Sequence, residues 1–285
     1  MSLEKYLPGI VLMLLTVLLF SIMNALAKSF TLAFPIIEIV WGRYASQTIF
    51  TIIIFSPNLG KVLATNRLKL HLFRSALLFG ATLFMFAGFK YLNLVTTITI
   101  FQVGPLIVVI FSVMFLKESV SLKRWMSVFI GFCGALLIIK PGTDMFLMTG
   151  ILPLLAATCY AGYAVSTRHL GTEEDPRTNF LYTSIVGTII SSALLIPFFK
   201  PISLVEASLF CILGLLGGLG HFCFVLALRK SEASLLAPFT YFDLIFASIL
   251  GIIFFSEYPD IYVFLGAIII VIAGIYLWRR ENIER

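Results

Sequence analysis

The 285-residue chain has few charged residues. Asp, Glu, Lys and Arg make up 12% of it and hydrophobic residues 60%, and the mean hydropathy is +1.05. A soluble domain of this length needs far more charged surface. The composition therefore excludes a soluble globular protein and predicts a chain whose solvent is the lipid bilayer.

Residue patterns for common enzyme chemistry are also missing. The sequence has no GxxxxGK[ST] phosphate loop, no HExxH zinc motif and no GxSxG nucleophile motif. Its cysteines lie in apolar runs without CxxC spacing, which is typical of small packing residues: Cys133, Cys159, Cys211 and Cys223. We therefore expect no catalytic residue, no metal site, no cofactor and no ATP hydrolysis. Any uphill transport must then draw on an ion gradient or on exchange.

Long apolar runs fill most of the chain. A run of about 20 apolar residues crosses a hydrocarbon core roughly 30 Å thick, and it does so as a helix. Ala25-Leu26-Ala27 resembles a signal-peptidase site, but the run before it is long for a signal peptide, so we expect it to remain as a span. The expected ten transmembrane helices are 7–27, 35–55, 71–90, 95–116, 122–139, 148–168, 178–198, 205–228, 233–255 and 260–278.

The sequence contains an internal repeat. Leu116-Lys117-Glu118 closes one long apolar segment and Phe255-Ser256-Glu257 closes another, and the two glutamates are 139 residues apart. This offset predicts two repeats of five spans, 1–141 and 142–285. Because five is odd, the second repeat enters the membrane from the opposite side, which gives an all-α membrane protein of two inverted five-helix repeats.

Basic residues set the expected orientation. With the N-terminus in the cytoplasm, fifteen Lys and Arg fall in inner segments and four in outer connections. This asymmetry predicts cytoplasmic N- and C-termini. It also places Glu257 at the outer face and Glu118 at the inner face. The net charge of +6 is thus a topology signal, and we expect no nucleic-acid partner.

Ionisable residues inside the spans are the first candidates for function, because each costs roughly 2.5–3.5 kcal/mol at the membrane centre. Arg43 either binds an anionic group of the substrate or is neutralised by Asp243 or Glu38. Asp243, near mid-depth, either couples transport to protons or stays paired. Glu38 is shallower, and we expect it to reach outer water, with a role in proton coupling as one reading. His221 follows a glycine-rich stretch and is either a packed neutral ring or a ligand.

Neutral polar and aromatic residues complete the predicted binding site. Amphipathic rings can stack on a flat ligand and also form hydrogen bonds with it. The candidates of this kind are Trp41, Tyr160, Tyr163 and Tyr241. Gln102, three residues before Pro105, either contacts substrate where the proline loosens the helix or joins two helices.

Several short motifs together resemble a known family. They are Trp41-Gly-Arg43-Tyr44, Gly104-Pro105, Leu116-Lys-Glu118, Leu236-Ala-Pro238-Phe-Thr-Tyr241 and Phe255-Ser-Glu257-Tyr-Pro259-Asp260. The chain resembles the EamA-like branch of the drug/metabolite transporter superfamily over nearly its whole length. The resemblance implies a substrate cavity between spans 1–4 and 6–9, with spans 5 and 10 at the periphery. Asp243-Leu244 replaces the Glu-Pro usual in the family, which leaves a local helix break there open.

A finer resemblance concerns the substrate. Leu152-Pro-Leu-Leu-Ala-Ala, Tyr160-Ala-Gly-Tyr163 and Gly217-Gly-Leu-Gly-His221 are similar to bacterial riboflavin transporters. The tract from Ala237-Pro238 to Glu257-Tyr-Pro-Asp260 is similar to S-adenosylmethionine uptake proteins. The resemblance implies a multi-pass transporter of the bacterial inner membrane. We expect riboflavin uptake, with S-adenosylmethionine uptake or amino-acid or drug export as alternatives, and protons or a counter-substrate as further partners. An intramembrane enzyme or a channel is the alternative from a different class, and the oligomeric state stays open.

Overall fold

The structure is a computed structural model, and it describes residues 7–116, 122–139, 144–170, 174–230 and 237–283. Within these ranges the chain forms helices and no β-strand. The α-helices, numbered in chain order, are α1 Leu7–Phe30, α2 Ile36–Phe55, α3 Leu59–Leu63, α4 Leu68–Tyr91, α5 Leu94–Phe101, α6 Gly104–Leu116, α7 Leu122–Ile139, α8 Asp144–Leu170, α9 Pro176–Leu195, α10 Leu204–Lys230, α11 Phe242–Phe255 and α12 Ile261–Ile283. Short 3₁₀ segments lie at Ser56–Asn58, Ile196–Phe198 and Ala237–Tyr241.

Six of the described helical stretches are long and apolar enough to cross a membrane. They are Leu7–Phe30, Leu68–Tyr91, Leu94–Phe115, Thr149–Thr167, Pro176–Phe198 and Leu204–Phe224. Helix α2 has 20 residues, about 30 Å of helix, but Glu38, Arg43 and Gln47 make it more polar. Apart from residues 233–236, which lie outside the described residues, all ten expected spans fall on helix or on the short turns that interrupt it. The chain is thus an all-helical, multi-pass membrane protein.

The first half of the chain packs largely against the second half. Helix α1 lies against α10 and α11, α4 lies against α8 and α9, and α2 lies against α9 and α10. Helices α7 and α12 pair with each other, and a side chain on Gly134 of α7 would meet Ile269 and the Gly266 carbonyl of α12. The space enclosed by the other helices is therefore shared by both halves.

Helices α2 and α10 approach each other unusually closely. A Cβ on Gly214 would lie 2.4 Å from the Ser46 Cβ and 2.8 Å from the Arg43 carbonyl oxygen. A Cβ on Gly42 would lie 2.7 Å from the Phe210 ring. Glycine on one side of each contact lets the two backbones pack at this distance, as is common between membrane helices.

Both halves have an irregular segment at corresponding positions. The fourth span is interrupted at Gln102–Val103, between the end of α5 and the start of α6, next to Pro105 as the sequence predicted. In the second half, the 3₁₀ segment Ala237–Tyr241 runs directly into α11. The backbone is thus irregular just before Asp243, even though Asp243-Leu244 stands where the family usually has Glu-Pro.

Candidate functional site

A cavity of about 180 Å³ lies between the two halves. It runs along α1 from Met13 to Asn24, about 16 Å of helix axis, and most of its lining is apolar. Its polar and charged lining residues come from six helices and from the two irregular segments: Thr16, Asn24, Arg43, Thr82, Gln102, Tyr160, His221, Thr240 and Asp243. A mostly apolar cleft with a few convergent polar groups is the usual form of a small-molecule site.

Arg43 is the buried cation of the cavity. Its side chain donates a 3.1 Å hydrogen bond from Nη1 to the Thr82 hydroxyl, and its guanidinium carbon lies 4.6 Å from the Tyr44 ring centre. Its Nε–H points to the Met23 sulfur at 3.4 Å. Among the described residues no carboxylate lies within salt-bridge distance of it, so neither predicted partner, Asp243 or Glu38, neutralises it. The guanidinium therefore faces the cavity with only neutral groups around it.

Asp243 lies in the first turn of α11 and lines the same cavity. Its Oδ1 accepts a 2.5 Å hydrogen bond from the Ser21 hydroxyl of α1. His221 lines the cavity from α10, and its ring packs edge-on against Phe20 with ring centres 5.0 Å apart.

Gln102 joins the two irregular segments. Its Nε2 donates a 3.1 Å hydrogen bond to the Thr240 carbonyl oxygen, so the break in the fourth span contacts the 3₁₀ segment before α11. Both residues line the cavity. Gln102 therefore lies at a helix break and also joins two segments of the chain. Tyr160 lies nearby against Phe101, with ring centres 5.4 Å apart. Irregular backbone at membrane depth is tolerated where it lines a cavity.

Three other predicted residues lie outside the cavity lining. Trp41 faces α9, where its indole N–H donates to the Ser192 hydroxyl at 3.0 Å. The Tyr163 hydroxyl accepts from Arg74, and Tyr241 packs in the apolar core. The sequence pattern could not separate these rings from Tyr160, because α2, α8 and the 3₁₀ segment before α11 each pack against several neighbours.

Glu38 differs from its expected surroundings. We expected its carboxylate to reach outer water, but its exposed fraction is 0% and neither carboxylate oxygen has a hydrogen-bond partner. The connection before α10 covers it, with the Lys200 ammonium 3.5 Å from the Ala33 carbonyl. Nothing local in the sequence indicates that Lys200, 162 positions away along the chain, would lie beside Glu38 at this end of α2.

A lysine and a glutamate join four segments at one end of the bundle. Lys28 Nζ lies 3.0 Å from Glu257 Oε1 and donates to the carbonyl oxygens of Phe89 and Leu92. Glu257 Oε2 accepts from the Leu94 N–H, the first of α5. We call this group the Lys28–Glu257 ion pair, and we call the end of the bundle where it lies the Glu257 face. Sequence reasoning placed Glu257 at the close of an apolar segment but missed Lys28 as its partner.

A second buried arginine lies toward the opposite end of the bundle. Arg74 of α4 is 1% exposed and donates to Tyr163 Oη, Thr167 Oγ1 and the carbonyl and side-chain oxygens of Asn179, all at 3.1–3.2 Å. These acceptors are neutral and come from α8 and α9. Sequence reasoning missed this cluster, because Arg74 was counted among the basic residues of an inner loop.

Metal ligation finds no support in the described ranges. No group of three or more His, Cys, Asp or Glu side chains is placed there to hold an ion. The cavity instead offers one guanidinium, one carboxylate and several aromatic rings, a set of groups suited to an organic molecule.

A helical chain that crosses the membrane many times, with a charged cavity between its two halves, is a membrane transporter in architecture. The sequence profile of the EamA-like transporter family matches residues 7–140 and 147–279. The chain belongs to the EamA-like transporter family.

Several characterised proteins are similar over most of their length. A riboflavin transporter of Brucella anthropi is 28% identical over 87% of this chain and 89% of its own. An S-adenosylmethionine uptake transporter of Rickettsia felis is 27% identical over 99% and 96%. A pseudopaline exporter of Pseudomonas aeruginosa is 28% identical over 99% and 100%. These names describe three different cargoes and both directions of transport.

A solved structure shares the fold. It superposes with a TM-score of 0.69, covers 95% of this chain and 98% of the other, and is 18% identical in sequence. At this identity the likeness concerns the fold alone.

Proposed function

We propose that this protein is a secondary transporter that takes up a small organic metabolite across the bacterial inner membrane by alternating access. Both termini lie in the cytoplasm, and the Glu257 face is the outer face. The cargo binds in the cavity between the two halves, at Arg43, Gln102, Tyr160, His221 and Asp243. Trp41, Tyr163 and Tyr241, the predicted residues that lie outside the cavity lining, act through packing and hydrogen bonds.

One observation carries this proposal. Arg43 is 2% exposed, borders a cavity formed by helices of both halves, and has no carboxylate partner among the described residues. A cation kept at membrane depth without a counter-ion marks a substrate or ion pathway. The Lys28–Glu257 ion pair adds to this support, because it joins helix ends on one side of the cavity.

Riboflavin is the first candidate cargo. Its flat conjugated ring suits a cavity lined by Phe20, Phe86, Phe101, Tyr160 and Phe224. One of the similar proteins is a riboflavin transporter. Gln102, Thr82 and Asn24 supply the amide and hydroxyl groups that a neutral, polar ring edge requires.

S-adenosylmethionine is the second candidate, and a separate observation favours it. The cavity contains both Arg43 and Asp243, and this cargo carries a carboxylate and cationic groups that each residue can pair with. The adenine ring uses the same aromatic lining. Asp243 is then also the cavity carboxylate available to couple cargo movement to protons.

Binding and exchange test the proposal directly. The purified protein is heated with riboflavin, S-adenosylmethionine or a set of amino acids, and the true cargo raises the melting temperature because it binds the folded state. In proteoliposomes loaded with unlabelled cargo, we expect saturable counterflow of the labelled compound. Ion conductance without saturable exchange would indicate a channel, and a chemically altered product would indicate an enzyme.

A further inference from the structure

We propose that Glu38 is a proton-binding site linked to the position of the Glu257-face end of α10. In the arrangement that the structure shows, in which Glu38 is fully buried and this face is closed, it holds a proton. When the ends of α2 and α10 separate and water reaches the carboxyl, the proton leaves. The proposal rests on the proposed alternating access only in requiring that this face opens.

The first support is the isolation of the carboxyl group. Glu38 is 0% exposed, and both of its oxygens lack a hydrogen-bond partner. An ionised carboxylate in such a place has lost its hydration, and the nearby Lys200 backbone N–H does not reach hydrogen-bond geometry with it. The neutral acid loses far less. The closed arrangement therefore favours the protonated form.

The second support is the position of Glu38 in the contact between two helices. Glu38, Gly42 and Ser46 lie four residues apart along one face of α2. On α10, Phe210 packs on Gly42 and Gly214 packs on Ser46. Glu38 is therefore the next residue of this row toward the Glu257 face, where the α2–α10 contact ends.

Aromatic rings close that end of the row. Phe30, Phe34 and Phe210 pack edge-on against one another, with ring centres 5.1–6.0 Å apart. These rings come from the end of α1, the connection before α2 and the first half of α10. A movement of α10 away from α2 would separate Phe210 from the other two rings and admit water to Glu38.

The nearest charged groups are already engaged elsewhere. Lys200 and Glu206 are the charged residues whose fields reach Glu38. Lys200 points to the Ala33 carbonyl, and Glu206 accepts a 2.6 Å hydrogen bond from the Ser203 N–H at the start of α10. Among the described residues no group of ligands accompanies this carboxyl, so the site does not suit Ca²⁺ or Mg²⁺, which take about six or more oxygen ligands. A proton is the ligand that fits a single carboxyl.

The proton balance sets the sign of the effect. Closing forms one O–H bond on the Glu38 carboxylate with a proton taken from water, and opening returns that proton to water. Since the closed form binds one more proton, a rising pH favours the open form, by at most about tenfold per pH unit.

Spin labels measure this equilibrium without any cargo. Leu32 and Leu204 are 92% and 88% exposed and lie in the two segments that would separate. With the native cysteines replaced and cysteines placed at these positions, electron–electron distances are recorded between pH 5 and pH 8. We expect a longer distance to gain population as the pH rises. Glu38→Gln, whose amide imitates the neutral acid, should hold the short distance throughout.

Matched variants separate the alternatives. Glu206→Gln changes the facing glutamate of α10 and should keep the pH dependence. Glu38→Asp keeps a titratable carboxyl and should keep it too. A pH dependence that survives in Glu38→Gln, or is absent or reversed in the unaltered protein, would overturn the proposal.

An infrared measurement keeps the proposal testable if Glu38→Gln folds poorly. The unaltered protein at neutral pH should show the carbonyl stretch of a protonated carboxylic acid, and Glu38→Asp should shift it. A missing band overturns the proposal by itself. Cargo counterflow in the same preparation reports separately on the proposed transport function.

Discussion

Lys28 and Glu257 form an ion pair with a 3.0 Å separation between Nζ and Oε1. One residue ends the first span and the other follows the ninth, so the pair joins the two halves at one face. Lys28 also donates to the carbonyl oxygens of Phe89 and Leu92 at the end of α4, and Glu257 accepts from the first N–H of α5. Ser256, in the left-handed region at φ 53°, turns the chain so that Glu257 points back into the bundle.

Removing this pair should open the Glu257 face. Glu257→Gln and Lys28→Met each remove charge-assisted hydrogen bonds of about 1.5–3 kcal/mol, so the open population should rise about tenfold or more. Asn24 lies one turn below Lys28 and lines the cavity. With the native cysteines replaced and Asn24→Cys as reporter, a membrane-impermeant maleimide should react faster at fixed pH.

Lys90→Met provides the control for that measurement. Lys90 is an exposed lysine of the same face whose ammonium lies 5.9 Å from the Tyr91 ring centre, so the labelling rate should stay at its starting value. Equal labelling rates in Glu257→Gln and the unaltered protein would show that the Lys28–Glu257 ion pair does not restrict access to the cavity.

Arg43→Gln should weaken the binding of an anionic cargo. The lost guanidinium–carboxylate interaction is worth about 1.5–3 kcal/mol, a loss of about tenfold or more in affinity for S-adenosylmethionine. Riboflavin, which is neutral, should lose less. Isothermal titration on purified protein gives both values, and Arg177→Gln is the control, since Arg177 is half-exposed and paired with Asp175 at the end of a helix. Unchanged affinity for every cargo would remove Arg43 from the site.

Asp243→Asn should change the response of transport to a proton gradient. The amide keeps the hydrogen bond with Ser21 but cannot release a proton. We expect counterflow to persist while gradient-driven accumulation falls, measured in proteoliposomes with an imposed pH difference. Accumulation at the unaltered level would exclude coupling through this residue.

Arg74→Met should lower the stability of the folded protein. The substitution removes four hydrogen bonds and leaves the oxygens of Tyr163, Thr167 and Asn179 without their donor. We expect a loss of about 2–4 kcal/mol, seen as a lower melting temperature in detergent. Lys69→Met, an exposed lysine on the same helix, should change it little. Equal melting temperatures for the two variants would contradict a structural role for the cluster.

Gly214→Ala should destabilise the α2–α10 contact. The added methyl would lie 2.4–2.8 Å from Ser46 and from backbone atoms of Arg43 and Gln47, none of which can rotate away. Overpacking of this kind costs about 1–3 kcal/mol. Gly218→Ala on the same helix meets its nearest neighbour at 3.6 Å and is the matched control. A melting temperature as high for Gly214→Ala as for Gly218→Ala would show that the helices can separate without cost.

The sequence predicted the helical spans well, because apolar length and composition are local properties. It also predicted the break before Pro105, since proline cannot continue the helical hydrogen bonds. The partners of Arg43 and the burial of Glu38 could not be predicted in this way. They depend on which face of α2 meets α4 and α10, and α2 is contacted on several sides, so its periodicity does not distinguish them.

The aromatic candidates show the same limit. Tyr160 and Tyr163 are one turn apart on α8, yet one borders the cavity and the other accepts a hydrogen bond from Arg74. Only the position of α4 separates them. Lys28 was missed for a related reason: a lysine at the end of a span is usually assigned to the membrane surface, and its partner is 229 residues away along the chain.

The contact between Gly214 and Ser46 has a mechanical consequence. With no side chain to yield between the backbones, this point can act as a fulcrum for α10 against α2. The arm from Gly214 to Glu206 is about 12 Å long, so a tilt of about ten degrees moves its tip by roughly 2 Å, which approaches the size of a water molecule. A small rotation would therefore be amplified at the far end of the lever.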